Sequence, residues 1–270
     1  MFSVRDMPTF VATDPEGYEA YVGRGSQCLA PVFVRFSGVC TNERVLDVGC
    51  GTGHLTRGIA SAKASAIGID LSEPYVQFAR SRPADNRVTF EVGDALALPY
   101  ADGAFDRTLS MLALDVLPDS RRGLAEMHRV TRMGGTVAVV VNNFRCGWTP
   151  FSMVWDAAAV LDPAGGAMRD EMVSKPLGWP GGLAALFRTM DFGSVVEDQI
   201  SAMFEYASFD DYWSTFLTGQ GKTGSYVTSL RDAHRNELER HVQAAYLCGM
   251  GDGPRAFTMW FWAVRGEVLS

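Results

Sequence analysis

The residues able to do chemistry in this chain are a run of glycines and three carboxylates placed around it. Val45-Leu46-Asp47-Val48-Gly49-Cys50-Gly51-Thr52-Gly53-His54-Leu55 reads as a buried strand, a tight glycine loop and the first turn of a helix. Glycines at alternate positions leave bare backbone where a ligand must come close, and some positions of such a loop need the φ > 0 that only Gly adopts freely. Loops of this kind hold nucleotide-like ligands at the carboxyl edge of a parallel sheet. Asp70 ends the next strand, about twenty residues on, where an acid can accept hydrogen bonds from both hydroxyls of a ribose. Asp94 ends a third strand in Val92-Gly93-Asp94-Ala95, and an acid there can receive the exocyclic amine of a purine. Asp47 adds a third carboxylate beside the loop.

The loop departs from two phosphate-binding patterns. A dinucleotide loop would carry Gly-x-Gly-x-x-Gly, but the third position here is His54. A P-loop would continue into Gly-Lys-Ser/Thr, which is absent. Three acids with no phosphate-binding cation suit an adenosine ligand that carries positive charge instead of phosphate. S-adenosylmethionine, a sulfonium with an ammonium, fits that description.

Such groups need a frame. Short apolar runs alternate with helical patterns: Ala66-Ile67-Gly68-Ile69-Asp70, then Pro74 to Arg80, then the alternating Val88, Phe90 and Val92. Phe105 to Met111, a helix through Leu124, Met127 and Val130 that Gly134-Gly135 are expected to stop, and the β-branched Thr136 to Val141 follow. This rhythm implies a parallel sheet with helices on both faces. The clean alternation at Val88 to Val92 suits an edge strand. Gly193 to Ile200 and Ala256 to Val264 look like two more strands. The predicted division is an N-terminal helical segment over residues 1–40, a cofactor-binding core over 41–143, 181–205 and 254–270, and helical cap insertions over 144–180 and 206–253.

At this point the residues resemble a family, the class I S-adenosylmethionine-dependent methyltransferases, in the broad group that includes the ubiquinone/menaquinone-biosynthesis type. Val45 to Gly53 resembles its first motif and Ile67-Gly68-Ile69-Asp70-Leu71-Ser72 its second. Gly93-Asp94-Ala95 with Leu98-Pro99-Tyr100 and Phe105-Asp106 resembles its third, and Glu126 to Val130 with Gly134-Gly135 the helix and turn before its fifth strand. Tyr21-Val22-Gly23-Arg24-Gly25-Ser26 resembles an N-terminal segment of a subgroup. The resemblance implies a Rossmann-like α/β fold: a doubly wound, seven-stranded sheet, mostly parallel, with an antiparallel strand near the C-terminus and helical lid insertions. It implies that Asp70, followed by Leu71, holds the ribose and that Asp94 with the Ala95 amide reads adenine. The Gly49, Gly51 and Gly53 loop would lie under the methionine part, with Asp47 organising the amino end and Met111 offering its carbonyl. Tyr21 would close over the cofactor, and Arg24 would pair with its carboxylate. Three positions depart from the family pattern: Met133 stands where Pro is usual, Asp115 where His or Asn is common, and Asn142-Asn143 where Trp-Asp is common in the subgroup. The last two sites would face the methyl acceptor.

Methyl transfer is a displacement on an already activated cofactor, so the protein mainly aligns the reactants. A general base is needed only if the acceptor must lose a proton early. Asp115 is the candidate base or substrate contact, against the plainer reading of a loop acid before Pro118. His54 reads as a first-turn helix residue, and His128, His234 and His241 as solvated surface. The aromatic stripes Phe151/Trp155 and Tyr212/Trp213/Phe216 are read chiefly as packing.

Composition narrows the partners. The 270-residue chain has net charge -7, which gives no general attraction to nucleic acid. Its longest apolar stretch is strand-length, too short to span a bilayer, and Met1 to Asp6 starts no secretory signal. Five cysteines without a C-x-x-C pair fit a reduced, cytoplasmic protein and argue against a structural zinc site. The expected function is methylation of a small-molecule acceptor with S-adenosylmethionine, leaving S-adenosylhomocysteine. Three alternatives stand beside it: a catalytically silent regulator that binds the cofactor, a protein or nucleic-acid methyltransferase, and a nicotinamide dehydrogenase, which His54 disfavours.

Overall fold

The computed structural model describes residues 13–83 and 85–269. The reading of Met1 to Asp6, and the first part of the segment 1–40, lie outside the described residues. Seven strands form one sheet: β1 Arg44–Val48, β2 Ser65–Asp70, β3 Val88–Val92, β4 Phe105–Met111, β5 Thr131–Asn142, β6 Phe192–Tyr206 and β7 Arg255–Val268. Their order is β3-β2-β1-β4-β5-β7-β6. β1 to β5 pair in parallel, and β7 runs antiparallel to both β5 and β6. The sheet is therefore the mostly parallel, Rossmann-like one expected, with β3 at its edge. The strand order reverses between β1 and β4, the place where an open α/β sheet leaves a crevice at its carboxyl ends.

Period-two burial makes two cores. Val137, Val139 and Val141 point to one face of the sheet, and Ala138 and Val140 to the other. The first face is covered by α5 (Ser120–Val130), through Leu124 and Met127, and by α8 (Gly182–Arg188), through Leu183 and Phe187. The second is covered by α2 (Arg24–Ser37), through Leu29 and Phe33, and by α3 (His54–Ser61), through Leu55 and Ile59. The short α1 (Pro15–Tyr18) precedes α2, and α4 (Glu73–Ser81) connects β2 to β3. Between β5 and α8 lie α6 (Thr149–Leu161) and α7 (Pro163–Val173); between β6 and β7 lie α9 (Phe209–Leu217), α10 (Gly221–Ser229) and α11 (Asp232–Leu247). Trp155, Tyr212 and Phe216 are buried in the second core, as packing required.

Three local expectations change. Gly134-Gly135 do not end the helix, which stops at Val130; they sit inside β5, where the pairing shifts between Phe105↔Thr131 and Arg107↔Thr136. Gly134, at φ 70°, makes this bulge possible. The last two strands are longer than Gly193–Ile200 and Ala256–Val264. β7 leaves β5 at Asn142↔Phe261, yet β6 and β7 stay paired out to Tyr206↔Arg255. This two-stranded arm extends past the carboxyl edge of the sheet, and only its backbone pairing, which apolar spacing does not report, sets its length. His128 is half-buried rather than solvated, its ring standing edge-on to Phe192 at 4.8 Å. Burial lowers its pKa.

The glycine loop, β2 and α3 meet at Gly68. A Cβ there would stand 2.7 Å from Thr56 Oγ1 and 2.9 Å from both Cys50 Cβ and Phe90 Cδ1. Gly68→Ala should therefore destabilise the protein by about 1–3 kcal/mol, the usual cost of overpacking a closed core. Thermal unfolding checks this: the midpoint should fall by roughly 2–4 °C for each kcal/mol, and an unchanged midpoint would show that the loop can give way.

Candidate active site

The chain leaves β1 through a turn that its glycines permit. Gly49, Gly51 and Gly53 have φ of 74°, 52° and 88°, the left-handed region where a side chain is strained. Packing adds a second reason at two of them. A Cβ on Gly49 would lie 2.3 Å from Ala113 Cβ, and one on Gly53 2.6 Å from the Phe90 ring. Only Gly51 has its nearest neighbour on the ligand side, the Tyr18 hydroxyl at 3.2 Å from an added Cβ. The amides of Gly49 and Cys50 both donate to Ile69 O, at 2.8 and 3.1 Å, and anchor the turn to the end of β2.

Asp70 completes the join. Its Oδ2 accepts from the Gly51 amide at 2.8 Å and its Oδ1 from the Ser72 amide at 2.9 Å. Each oxygen keeps a lone pair for a ligand. Burial raises the pKa of this carboxyl, against those two amide bonds. Asp47 is 1% exposed beneath the loop, and Thr56 Oγ1 donates to its Oδ2 at 2.6 Å. Its Oδ1 is buried with no partner among the described residues. Burial pushes its pKa up to about 7, and the nearby Asp70 adds to that. Asp94 is exposed, and its Oδ1 accepts from the Leu96 amide at 2.8 Å.

A strap from the N-terminal side closes this end. Residues Glu19–Gly23 form one π-helical turn between α1 and α2, a form that recurs at functional sites. Glu19 accepts from Thr52 Oγ1 at 2.5 Å and from Arg82 at 3.1 Å, and its carboxylate meets His54 Nε2 at 2.9 Å. The carboxyl is held below its ordinary range by these partners, which outweigh a larger opposing push from burial. His54 is thus a first-turn residue that also ties the glycine helix to the strap.

The same cleft opens into a cavity of about 350 Å³. Of the residues singled out in the sequence, Tyr21, Gly49, Gly51, Asp70, Leu71, Asp94, Ala95 and Met111 line it together. Gly53 does not: it caps α3 against Phe90. Asp47 lies beneath the loop rather than on the wall. Arg24 is turned elsewhere. Its guanidinium grips Asp211 through two bonds of 2.8 Å, donates to Glu205 O at 2.7 Å and lies 4.8 Å above the Tyr206 ring. It joins α2 to α9 and contributes nothing to the cavity wall. Asp115 sits just behind the wall. Asn142 Nδ2 reaches its Oδ2 at 3.4 Å, and its Oδ1 is buried without a partner among the described residues. Burial raises its pKa, and the Lys175 charge opposes that rise.

Sequence reasoning missed part of this wall. Phe144, Trp148, Phe204, Met259 and Phe261 line the cavity along with Phe151, and so do Tyr18, Tyr75, Lys175 and Lys222. Phe204 and Met259 come from the β6–β7 arm, whose reach was not readable. The lysines come from the helical insertions, Lys175 just after α7 and Lys222 in the first turn of α10, where a single Lys gives no periodic signal. Leu112, just after β4, is held at φ 59°, a strained conformation for a side-chain-bearing residue that carries the chain across the cavity. Among the described residues no group of His, Cys, Asp and Glu could hold a metal ion. No helix there is long and apolar enough to cross a membrane.

Residues 45–135 match a family described as a methyltransferase domain. An uncharacterised protein of Mycobacterium tuberculosis is 34% identical over 114 residues, 42% of either chain. The 27-O-demethylrifamycin SV methyltransferase of Amycolatopsis mediterranei is 34% identical over 131 residues, 47% of either chain. The similarity thus spans about half the length of these relatives. The structure of phosphoethanolamine N-methyltransferase 2 from Haemonchus contortus, solved with S-adenosyl-L-methionine, superposes with a TM-score of 0.59 over 100% of this chain and 61% of that one. At 16% identity it shares the fold alone. Over residues 45–135, which hold β2 to β4 and nearly all of β1, the chain is thus similar to a methyltransferase domain, and its 3-2-1-4-5-7-6 sheet carries that block.

Proposed function

We propose that this protein binds S-adenosylmethionine between the glycine loop and the N-terminal strap and methylates a small acceptor held in the aromatic cavity. One observation carries the reading. Asp70 is locked by two backbone amides at the mouth of the same cleft that Asp94 and Gly51 line, and that cleft is continuous with an aromatic-walled cavity. The cleft suits a charged adenosine ligand. It offers carboxylate acceptors, a bare backbone at Gly51, and no cation on the glycine loop itself that would prefer a phosphate.

When bound, the cofactor supplies a methyl group on a sulfonium, whose departure leaves a neutral thioether. The chain's own residues do the rest. Asp70 accepts from the ribose hydroxyls, and Asp94 with the Ala95 amide reads the base. The loop and Tyr21 hold the methionine end. Met111 and Leu112 separate the donor end from the acceptor end. The helices of 144–180 and 206–253 act as the cap that excludes water, which strengthens every polar contact inside. The acceptor is a small molecule, because the chamber is walled by Phe144, Trp148, Phe151 and Phe204, and the -7 net charge does not suit a nucleic acid. The odd set of five cysteines, all unpaired, suits a reducing compartment such as the cytoplasm.

Titration with S-adenosylhomocysteine and with NAD tests the cofactor. Tight binding of the former and none of the latter is expected; the reverse would sink the proposal. Asp70→Ala should weaken S-adenosylhomocysteine binding by about 1–3 kcal/mol, the range for a lost hydrogen bond to a charged group, and unchanged affinity would remove Asp70 from the site. Asp47 makes a separate prediction about pH. A carboxyl whose pKa is raised to about 7 on folding stabilises the fold fully below the ordinary carboxylate range, and that contribution is lost as pH rises through about 7. Urea unfolding of the wild type and Asp47→Asn should therefore diverge from pH 8 to pH 5, the wild type gaining up to about 1.4 kcal/mol per pH unit relative to the variant. A difference that stays flat would mean that Asp47 is ionised in the folded protein.

A further inference from the structure

The acceptor end of the cavity is charged in a way the donor end is not. Lys175 and Lys222 both stand on its wall, within an otherwise aromatic and thioether lining. Their situations differ. Lys222 is paired with Glu171. Lys175 has no carboxylate within 4.0 Å among the described residues; its Nζ lies 3.5 Å from Asp115 O and 5.5 Å over the Phe144 ring. An ammonium has three N–H donors, so one long backbone contact and one ring face leave it under-satisfied. Burial lowers the Lys175 pKa; Asp115 and, less strongly, Glu171 oppose that, and the Lys222 charge adds to it. Asp115, the nearest carboxyl by its electrostatic effect, is itself driven toward its neutral form by burial. A partly desolvated cation with no carboxylate in ion-pair contact is costly unless something else supplies the charge. Asn142 lines the same stretch of wall and adds an amide N–H.

We infer that the methyl acceptor is a flat, largely apolar molecule bearing an oxyanion, a carboxylate or an ionised hydroxyl, which docks on the Lys175 ammonium with its ring against Phe144 and Trp148. Lys175 is then the residue that sets acceptor specificity. The aromatic walls select shape and apolar area, and the lysine selects charge. This inference rests on the methyltransferase reading of the cavity, but it concerns a wall the cofactor motifs do not reach.

The test compares flat aromatic probes of different charge, 2-naphthoate and 2-naphthamide being matched in shape. Binding of 2-naphthoate, 4-nitrophenolate at pH 8.5 and the neutral 2-naphthamide is measured by calorimetry, with and without saturating S-adenosylhomocysteine. At least one anion should bind about tenfold more tightly than the amide, the scale of one charge-assisted hydrogen bond; which anion does so identifies the group as carboxylate or hydroxyl. Lys175→Met should bring anion and amide to within about twofold of each other, while Lys175→Arg and Lys222→Met keep most of the preference. Equal binding of all three probes, binding of none, or a preference that survives Lys175→Met overturns the inference. Each variant's affinity for S-adenosylhomocysteine should match the wild type, which shows that the cleft remains folded. A wild type that binds no S-adenosylhomocysteine overturns the cofactor reading instead, and the probe titrations made without it still decide the role of Lys175.

Discussion

The two amide bonds to Asp70 are the constraint on which the rest of the site depends. A loop of three left-handed glycines has many conformations in the unfolded chain and little side-chain packing to choose among them. Asp70 fixes it by accepting from Gly51 on one side and Ser72 on the other, so one carboxylate sets both the loop after β1 and the helix start after β2. The parallel register Val48↔Ile69 brings these ends level. The raised pKa of Asp70 marks what this costs: the charge is held where burial disfavours it. A ligand that offers further donors to the same oxygens would relieve part of that strain, so in the proposed function the structural anchor and the binding group are one side chain.

The opposite half of the cavity is built from a different principle. Past the carboxyl edge, β6 and β7 have only each other as strand partners, and the connection between them carries α9 to α11. Phe204 and Met259 project from this arm into the chamber. Arg24 fastens it down: by holding Asp211 and Glu205 O it couples α2, which packs on the sheet, to the first helix of the cap. The pair is partly exposed, and such bridges contribute little to global stability. Its bidentate geometry fixes an angle instead, and the angle decides how far the cap stands from the glycine loop.

These two halves explain what the sequence made legible. The strand order, the acids at strand ends and the glycine loop follow local rules of period and spacing, and the donor half could be read residue by residue. Asp70, Asp94 and Met111 converge because strand ends converge in any sheet of this order, and Tyr21 reaches them from the N-terminal strap. Arg24 was assigned to the cofactor by resemblance, but a guanidinium takes the nearest well-placed carboxylate, and Asp211 comes from a part of the chain with no motif. Asp47 was expected beside the loop, organising the amino end of the cofactor; it lies beneath the loop, and a residue inside a strand cannot show whether it points under or over the loop that follows. Lys175 and Lys222 were invisible: they lie 47 residues apart, one just past the end of α7 and the other in α10, and no repeat links the two positions.

The charge layout of the cavity follows from this division. Its donor end is acidic through Asp70 and Asp94, and its acceptor end is basic through Lys175 and Lys222, although the chain as a whole carries an excess of acid. A positively charged donor and a negatively charged acceptor would each be drawn to a separate end, so the cleft sorts its ligands before alignment begins. Between the ends stand Met111, Leu112 and the aromatic rings, which hold little water. If the oxyanion on Lys175 is the attacking atom, the two opposite charges cancel as the methyl group moves. A dry wall favours that cancellation, because it solvates the separated charges poorly and the neutralised products no worse. A wet, polar wall would hold the ions apart. On that reading the aromatic residues do more than shape a pocket: they favour cancellation of the sulfonium and oxyanion charges, while the Lys175 ammonium, left without its counter-ion, favours release of the neutral product.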